Sequence, residues 1–118
     1  MQYVLSSFNE RLVHITTLMR TKGEMRNMKI YIAGKITGKE DYKTDFKVAE
    51  ERLTKQGNTV LNPAVLPEGF EQTDYHHICM AMIDVCEAVY FLPTWTDSKG
   101  AHLEMGYAVA TGKDIRYL

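Results

Sequence analysis

Short apolar runs alternate with amphipathic stretches from residue 28 onward. The runs are rich in β-branched and aromatic residues and predict four strands, at 29–33, 59–61, 88–92 and 115–117. The stretches between them repeat apolar residues every three or four positions and predict three helices, at 41–56, 75–86 and 99–111. Because strands that alternate with helices need crossover connections, the pattern predicts an α/β fold with a parallel sheet.

The predicted fold class is a small doubly wound parallel sheet of about four to five strands, as in flavodoxin-like and Rossmann-like domains. Residues 28–118 read as one complete domain. Residues 1–27 predict an extra N-terminal helix, because Leu5, Phe8, Leu12, Ile15 and Met19 recur at helical spacing. This segment is either a translated upstream extension or a docking helix, and the sequence leaves both open.

Composition limits the partners. The chain has 118 residues, 45% of them hydrophobic, and a formal net charge of −1, so no basic surface for a nucleic-acid polymer is expected. It has no apolar run of about 18 residues, so no membrane span is expected, and no secretory signal pattern, so we expect a cytoplasmic protein. Cys79 and Cys86 lie seven positions apart in one predicted helix, too far for a disulfide, and are expected to be buried thiols.

We expect the candidate site at the carboxyl ends of the predicted strands. In parallel sheets ligands bind outside these ends, which here means 34–38, the loop from Asn62, and 93–100. Asp97 or Ser98 is a natural N-cap for the third helix, whose first amides can bind an anion. Glu104 follows in the second turn among small residues, which is unusual for a solvated side chain, although an exposed Glu104 is the alternative.

Two motifs carry a resemblance to a known family. The segment 97–108, followed by Gly112 and Lys113, and the segment 31–38 resemble motifs of the nucleoside 2-deoxyribosyltransferase superfamily. The likeness covers residues 28–118 and is closest to small bacterial and phage domains of that superfamily; the chain also resembles 2′-deoxynucleoside 5′-monophosphate N-glycosidase. The resemblance implies that Glu104 is a nucleophile attacking C1′ of a deoxyribosyl group, and that Tyr31 positions it.

The same resemblance implies roles for loop residues. Gly34, Ile36 and Gly38 belong to a loop that lets the substrate approach the backbone, and Ser98 matches a serine that binds a 5′-phosphate. A plain N-cap is the alternative for Ser98, and a buried strand tyrosine is the alternative for Tyr31. Trp95 either stacks on a base or caps the core.

One position departs from the family pattern. Relatives carry an Asp that assists the leaving base, and the residue at that spacing here is Cys79, while Glu87 fits a later acidic position. Asp84 is the preferred substitute; His76 and His77 are the other candidates, and structural roles are favoured for both. The spacing supports no zinc site, so no metal or cofactor is predicted.

The resemblance implies an N-glycosidic-bond enzyme that acts on deoxynucleosides or deoxynucleoside 5′-monophosphates, by deoxyribosyl transfer or hydrolysis through a covalent glycosyl-Glu intermediate. The alternative is a non-catalytic nucleotide-binding or sensing module. The expected partners are a small-molecule nucleoside or nucleotide and further copies of the chain, in a dimer or larger homo-oligomer. The predicted catalytic residues are Glu104, Tyr31 and Asp84; the predicted substrate-binding residues are Gly34, Ile36, Gly38, Asn62, Trp95, Asp97, Ser98 and Gly100.

Overall fold

The computed structural model describes residues 27–117. The helix predicted for residues 1–27 therefore lies outside the described residues, except for Asn27. The elements follow in the order β1 (Lys29–Ala33), α1 (Tyr42–Lys55), β2 (Thr59–Leu61), α2 (Gln72–Asp84), β3 (Ala88–Phe91), α3 (Lys99–Ala110) and β4 (Asp114–Tyr117). Short 3-10 turns, Pro63–Val65 and Pro93–Asp97, follow β2 and β3.

The described strands form one parallel sheet in the order β2-β1-β3-β4. Tyr31 in β1 is in register with Leu61 on one side and Val89 on the other. All carboxyl ends therefore meet at one edge, where the loops after β1, β2 and β3 emerge. The predicted α/β fold with a parallel sheet is confirmed, with four strands in the described part of the chain.

Helices cover both faces of the sheet. Ile30 and Ile32 of β1 pack with Phe46, Ala49 and Leu53 of α1 in one buried cluster. The alternate β1 residues Tyr31 and Ala33 point to the other face, where a second buried cluster contains Cys79 and Ile83 of α2 and Ala108 of α3. This alternation is the period of two expected of a strand buried on both sides, and it confirms the doubly wound arrangement.

The second helix differs from its predicted bounds. It begins at Gln72, three residues early, because Glu71 and Asp74 form a reciprocal capping box. It ends at Asp84, so Cys86 lies beyond the helix and the prediction that both cysteines share it is wrong. Both thiols are buried and free. None of the helices within residues 27–117 is long and apolar enough to cross a membrane.

Candidate active site

Glu104 faces the protein interior from the second turn of α3. The helix starts where Ser98 acts as N-cap, its Oγ accepting a hydrogen bond from the Ala101 amide at 3.1 Å. Ala101 and Ala108, three residues before and four after Glu104, are also buried, so all three side chains lie on the face that packs on the sheet. Only 9% of Glu104 is exposed, which excludes the alternative of a solvated surface residue.

A donor from another element holds the Glu104 carboxyl group. The hydroxyl of Tyr31, a fully buried residue in the middle of β1, donates a hydrogen bond to Glu104 Oε2 at 2.5 Å. Cys79, on α2, lies in the same buried cluster as Tyr31 and affects the ionisation of both Tyr31 and Glu104. The structure thus joins a strand and two helices at one buried carboxyl group.

Burial dominates the electrostatics of this cluster. Loss of solvent raises the pKa of Glu104 to about 7, against the smaller lowering effects of the hydrogen bond from Tyr31 and then of the Cys79 thiol. Burial also raises the pKa of Cys79 to about 11, and raises the pKa of Tyr31 well above its usual value, assisted by the charge of Glu104. Near neutral pH the carboxyl group therefore exchanges between acid and carboxylate, while Tyr31 and Cys79 keep their protons.

The predicted residues of the loop after β1 have structural roles. A Cβ on Gly34 would lie 3.0 Å from Leu92 Cδ1 and 3.2 Å from Phe46 Cζ, so a larger residue would have to push these side chains aside and the packing favours glycine there. Ile36 packs against the same cluster on the α1 side of the sheet. Gly38 adopts a φ of +80°, a turn conformation that favours glycine. Their predicted contacts with substrate stay predictions.

Asn62 caps the turn after β2. It is buried, and its Oδ1 accepts a hydrogen bond from the Ala64 amide at 2.8 Å. It also lines an open groove of about 550 Å³ between α1 and residues 62–68, with Lys43 and Lys47 on the opposite wall. This groove is on the α1 side of the loop, and Glu104 is not among its lining residues.

In the loop after β3, Trp95 packs on neighbouring aromatic rings, and the backbone at the start of α3 is accessible. The ring of half-buried Trp95 lies 5.3 Å from that of Phe91 and 5.0 Å from that of His102, so it caps the aromatic end of the core. Asp97 is exposed and ends the 3-10 turn, so Ser98 and not Asp97 is the cap. A Cβ on Gly100 would meet only Ser98 Oγ, at 3.9 Å, so the backbone there is approachable.

The structure does not bring Asp84 to Glu104, which corrects its predicted role as proton donor. Asp84 is exposed at the end of α2, where its carboxylate accepts a hydrogen bond from the Tyr107 hydroxyl. Because α2 leads directly into the start of β3, this end of the helix lies at the amino-terminal edge of the parallel sheet. Glu87 is nearby in sequence, and its Oε1 accepts a hydrogen bond from the Lys29 amide.

Two features of the site were not predicted from the sequence. The side chain of Thr94 accepts a hydrogen bond from the Lys35 amide at 3.1 Å, which ties the loop after β3 to the loop after β1. Cys79 was predicted only as a buried thiol, although its position in the family pattern indicated the pocket. In residues 27–117, no group of three or more His, Cys, Asp or Glu side chains is arranged to hold a metal ion.

Comparisons with known proteins agree with this fold. The structure of "2-desoxiribosyltransferase from Leishmania mexicana" matches with a TM-score of 0.62 at 20% sequence identity, over 76% of this chain and 63% of that one. The fold implied by the resemblance to deoxyribosyltransferases is thereby confirmed, although this chain spans less than two thirds of that enzyme. No curated protein sequence matches the chain. The family described as "Domain of unknown function (DUF4406)" matches residues 28–117, and the chain belongs to that family.

Proposed function

We propose that this protein cleaves the N-glycosidic bond of deoxynucleosides or deoxynucleoside 5′-monophosphates, with Glu104 as the nucleophile. The observation that carries the proposal is a buried carboxyl group without a neutralising cation: among residues 27–117, no Lys, Arg or His forms an ion pair with Glu104. Burying an ionisable group without a partner of opposite charge lowers the stability of the fold, so its presence is best explained by a chemical role. The deoxyribosyltransferase fold supports the same assignment.

The reaction has two halves. An ionised oxygen of Glu104 attacks C1′ of the sugar, the C1′–O bond forms as the C1′–N bond breaks, and the base leaves with the bonding electron pair. Water or a second base then attacks C1′ and releases the carboxylate, giving hydrolysis or transfer. The hydrogen bond from Tyr31 restricts rotation of the carboxylate, which favours a fixed line of attack.

The start of α3 suits the 5′ end of such a substrate. Free amides in the first turn attract an anion, and Gly100 leaves the backbone open there. In the proposal Ser98 and these amides bind the 5′-phosphate, with Asp97 at the entrance to the site. The base lies toward Trp95, whose ring is half-buried.

A second candidate, a nucleotide-binding module without efficient chemistry, is favoured by one observation. The groups that act on the ionisation of Glu104 within the described residues are Tyr31 and Cys79, and burial raises the pKa of both, so both are poor proton donors near neutral pH. Among residues 27–117, no second carboxyl group therefore acts on Glu104 or is placed to protonate the departing base. Nucleotides would then stabilise the protein thermally without being cleaved.

The test is incubation of the full chain with each common deoxynucleoside and its 5′-monophosphate, with free base measured by chromatography. We expect base release by the wild-type protein and its loss by at least 100-fold in Glu104→Gln, on the order seen when a group of the reacting set is removed. Glu51→Gln is the matched control, because Glu51 is an exposed carboxylate on α1. Acid-quenched protein should carry the mass of one deoxyribosyl group, absent from Glu104→Gln.

The pH dependence gives a further check. Since attack needs the carboxylate and the pKa of Glu104 lies at about 7, kcat/KM should rise with pH up to about 7 and level off above it. Absence of free base from every substrate, with equal thermal stabilisation of wild type and Glu104→Gln by nucleotides, rejects the enzyme and leaves the binding module.

A further inference from the structure

The groove beside α1 is a cavity outside the site proposed for the reaction. Its volume of about 550 Å³ falls within the range of small-molecule sites, roughly 300 to 1,000 Å³. It lies at the carboxyl end of β2, the edge of a parallel sheet where ligands bind. Three charged side chains of α1 form one wall, and the loop after β2 forms the other. Because α1 packs on the face of the sheet opposite to α3, the groove is separate from Glu104.

Asn62 presents an unused hydrogen-bond donor to this groove. Only 5% of the residue is exposed, and its Oδ1 accepts from the Ala64 amide, which fixes the orientation of the carboxamide. Its Nδ2 group has no acceptor among residues 27–117. In the same range, Asp45 Oδ2 is the one fully enclosed side-chain oxygen or nitrogen that lacks a hydrogen bond, so Asn62 Nδ2 is open to the groove. A buried amide donor without a protein acceptor is available to a ligand.

Lys43 and Lys47 place two ammonium groups on the opposite wall. They lie one turn apart on α1, and within the described part of the chain neither forms an ion pair, although Glu50 is only three residues from Lys47. Lys43 lies over the ring of Tyr42, 5.9 Å from its centroid, a contact that leaves its charge in place. Two lysines without carboxylate partners favour an anionic group, and lysine is a common phosphate binder.

The remaining lining groups distinguish a sugar phosphate from a bare anion. Glu50 and Glu68 also line the groove, and neither is ion-paired within residues 27–117. A ligand that offers hydrogen-bond donors as well as negative charge therefore complements the groove best. Sugar hydroxyls donate to carboxylates and accept from an amide such as that of Asn62. Val65 and Leu66 add an apolar surface on the loop wall.

The loop wall of the groove is held in place by α2. The Tyr75 hydroxyl donates a hydrogen bond to the Pro67 carbonyl at 2.6 Å and accepts one from the Phe70 amide at 3.3 Å. Leu66 packs against the buried cluster on the α2 side of the sheet. A wall anchored in this way is formed before a ligand arrives, which lowers the entropic cost of binding.

We propose that this groove binds a sugar phosphate, either free or as the sugar-phosphate part of a nucleotide. The phosphate contacts Lys43 and Lys47, one sugar hydroxyl accepts from Asn62 Nδ2, and other hydroxyls donate to the two glutamates. The site does not depend on the proposed reaction of Glu104, and it stands whether or not the chain cleaves N-glycosidic bonds.

The test is a titration of the full chain with ribose 5-phosphate and with adenosine 5′-monophosphate, followed by nitrogen–proton NMR. The side-chain amide signal of Asn62, assigned by its absence in Asn62→Ser, should shift with a Kd below about 1 mM. Ribose and inorganic phosphate each lack part of the contacts and should bind about 10-fold more weakly or less. Equal affinities for the two ligands show that the sugar phosphate suffices, whereas tighter binding of the nucleotide shows that its base adds contacts with the apolar wall.

Variants of the two walls locate the ligand. Lys43→Gln and Lys47→Gln should each weaken binding of ribose 5-phosphate by roughly 3- to 10-fold. Lys55→Gln is the matched control, because Lys55 is exposed on the same helix and does not line the groove. Asn62→Ser keeps an acceptor for the Ala64 amide but loses the amide donor, and should weaken binding by about 10-fold. If it does not fold, Asn62→Asp, which also keeps the acceptor, replaces it.

An Asn62 signal that both ligands leave unshifted at about 10 mM overturns the proposal, as does equal weakening by Lys55→Gln and the two groove variants. Inorganic phosphate that binds as tightly as ribose 5-phosphate also overturns it, because the groove would then not recognise the sugar. Ser98→Asp and Glu104→Gln should leave the shift unchanged; its loss in either variant would place the ligand at α3 and overturn the proposal. Because this titration needs no turnover, its failure is distinct from a failure of base release.

Discussion

At the scale of single residues, the burial of Glu104 connects stability with pH. The ordinary pKa of a glutamate in an unfolded chain, 4.5, rises to about 7 here because burial penalises the carboxylate. Between these values the unfolded chain releases the proton while the folded protein holds it. Stability must therefore fall as pH increases from about 4.5 to about 7 and stay level above that.

We predict that Glu104→Gln stabilises the protein at pH 8 and has little effect at pH 4.5. The shift in pKa from 4.5 to about 7 corresponds to about 3 kcal/mol of unfolding free energy that the wild type loses and the neutral amide does not. Urea unfolding of both proteins across this range measures the difference, in which contributions of other groups cancel. Equal stability of the two proteins at pH 8 would contradict a buried, desolvated carboxylate.

At the scale of elements, the start of α3 has two proposed tasks that can be separated. Ser98 is the N-cap of the helix, and in the proposed function it also binds the 5′-phosphate of the substrate. Ser98→Ala should lower the free energy of unfolding by about 1 kcal/mol, because the Ala101 amide loses its acceptor. Ser98→Asp keeps an acceptor and should fold as well as the wild type.

The aspartate variant distinguishes the tasks. Its charge repels a phosphate, so Ser98→Asp should weaken binding of deoxynucleoside monophosphates, with about a 10-fold or larger rise in KM, while cleavage of free nucleosides changes little. If cleavage of nucleosides and cleavage of monophosphates fell equally, Ser98 would have no role in binding phosphate and would act only as the N-cap. Chemical denaturation and the base-release assay supply the two measurements.

Two glycines should respond oppositely to alanine. Gly34→Ala places a Cβ against Leu92 and Phe46, both buried, and should destabilise the protein by about 1 to 3 kcal/mol. Gly106, inside α3, has no atom within 4 Å of an added Cβ, so Gly106→Ala should stabilise by about 0.5 to 1 kcal/mol. Thermal unfolding of both variants tests this, and a stabilised Gly34→Ala would contradict the packing of β1 against β3.

At the scale of the whole molecule, the architecture was predictable because buried strands and helices leave strong apolar periodicities. The all-apolar run at 88–92 indicates a strand that is buried on both faces. The apolar repeat in 42–55 indicates a helix with one buried face. The contacts of Cys79 and Asp84 were not predictable, since they depend on which end of α2 lies beside which part of α3. Asp84 interrupts an apolar stretch because the helix ends there, and sequence alone could not separate that from a catalytic position.

One hydrogen bond joins the loops after β1 and β3 at the carboxyl edge of the sheet, and no sequence pattern predicts it. The amide of Lys35 and the side chain of Thr94 meet although 59 positions separate them. Such a bond requires the strand order to be known, because only β1 and β3 as neighbours bring these loops together. The motifs on either side were identifiable, whereas the connection between them follows from topology.

Assembly into a homo-oligomer stays a prediction, and the outer face of α3 is where it can be tested. Leu103 and Val109 expose 54% and 63% of their surface, and Gly106 between them is also exposed. Exposed apolar side chains grouped on one helix favour contact with a second copy, since burial of a leucine contributes about 1.5 to 3 kcal/mol. We expect light scattering after size exclusion to give a dimer or larger species.

Leu103→Lys should reduce this species to the monomer, because a buried lysine without a partner opposes association. Val48→Lys is the control: Val48 is 60% exposed on α1, on the opposite face of the sheet. Since α3 also carries Glu104, the same substitution should lower base release if assembly shapes the site, whereas Val48→Lys should not. A wild-type protein that is monomeric at every concentration, or equal dissociation by both lysines, would show that this face is solvated and that the site is formed within one chain.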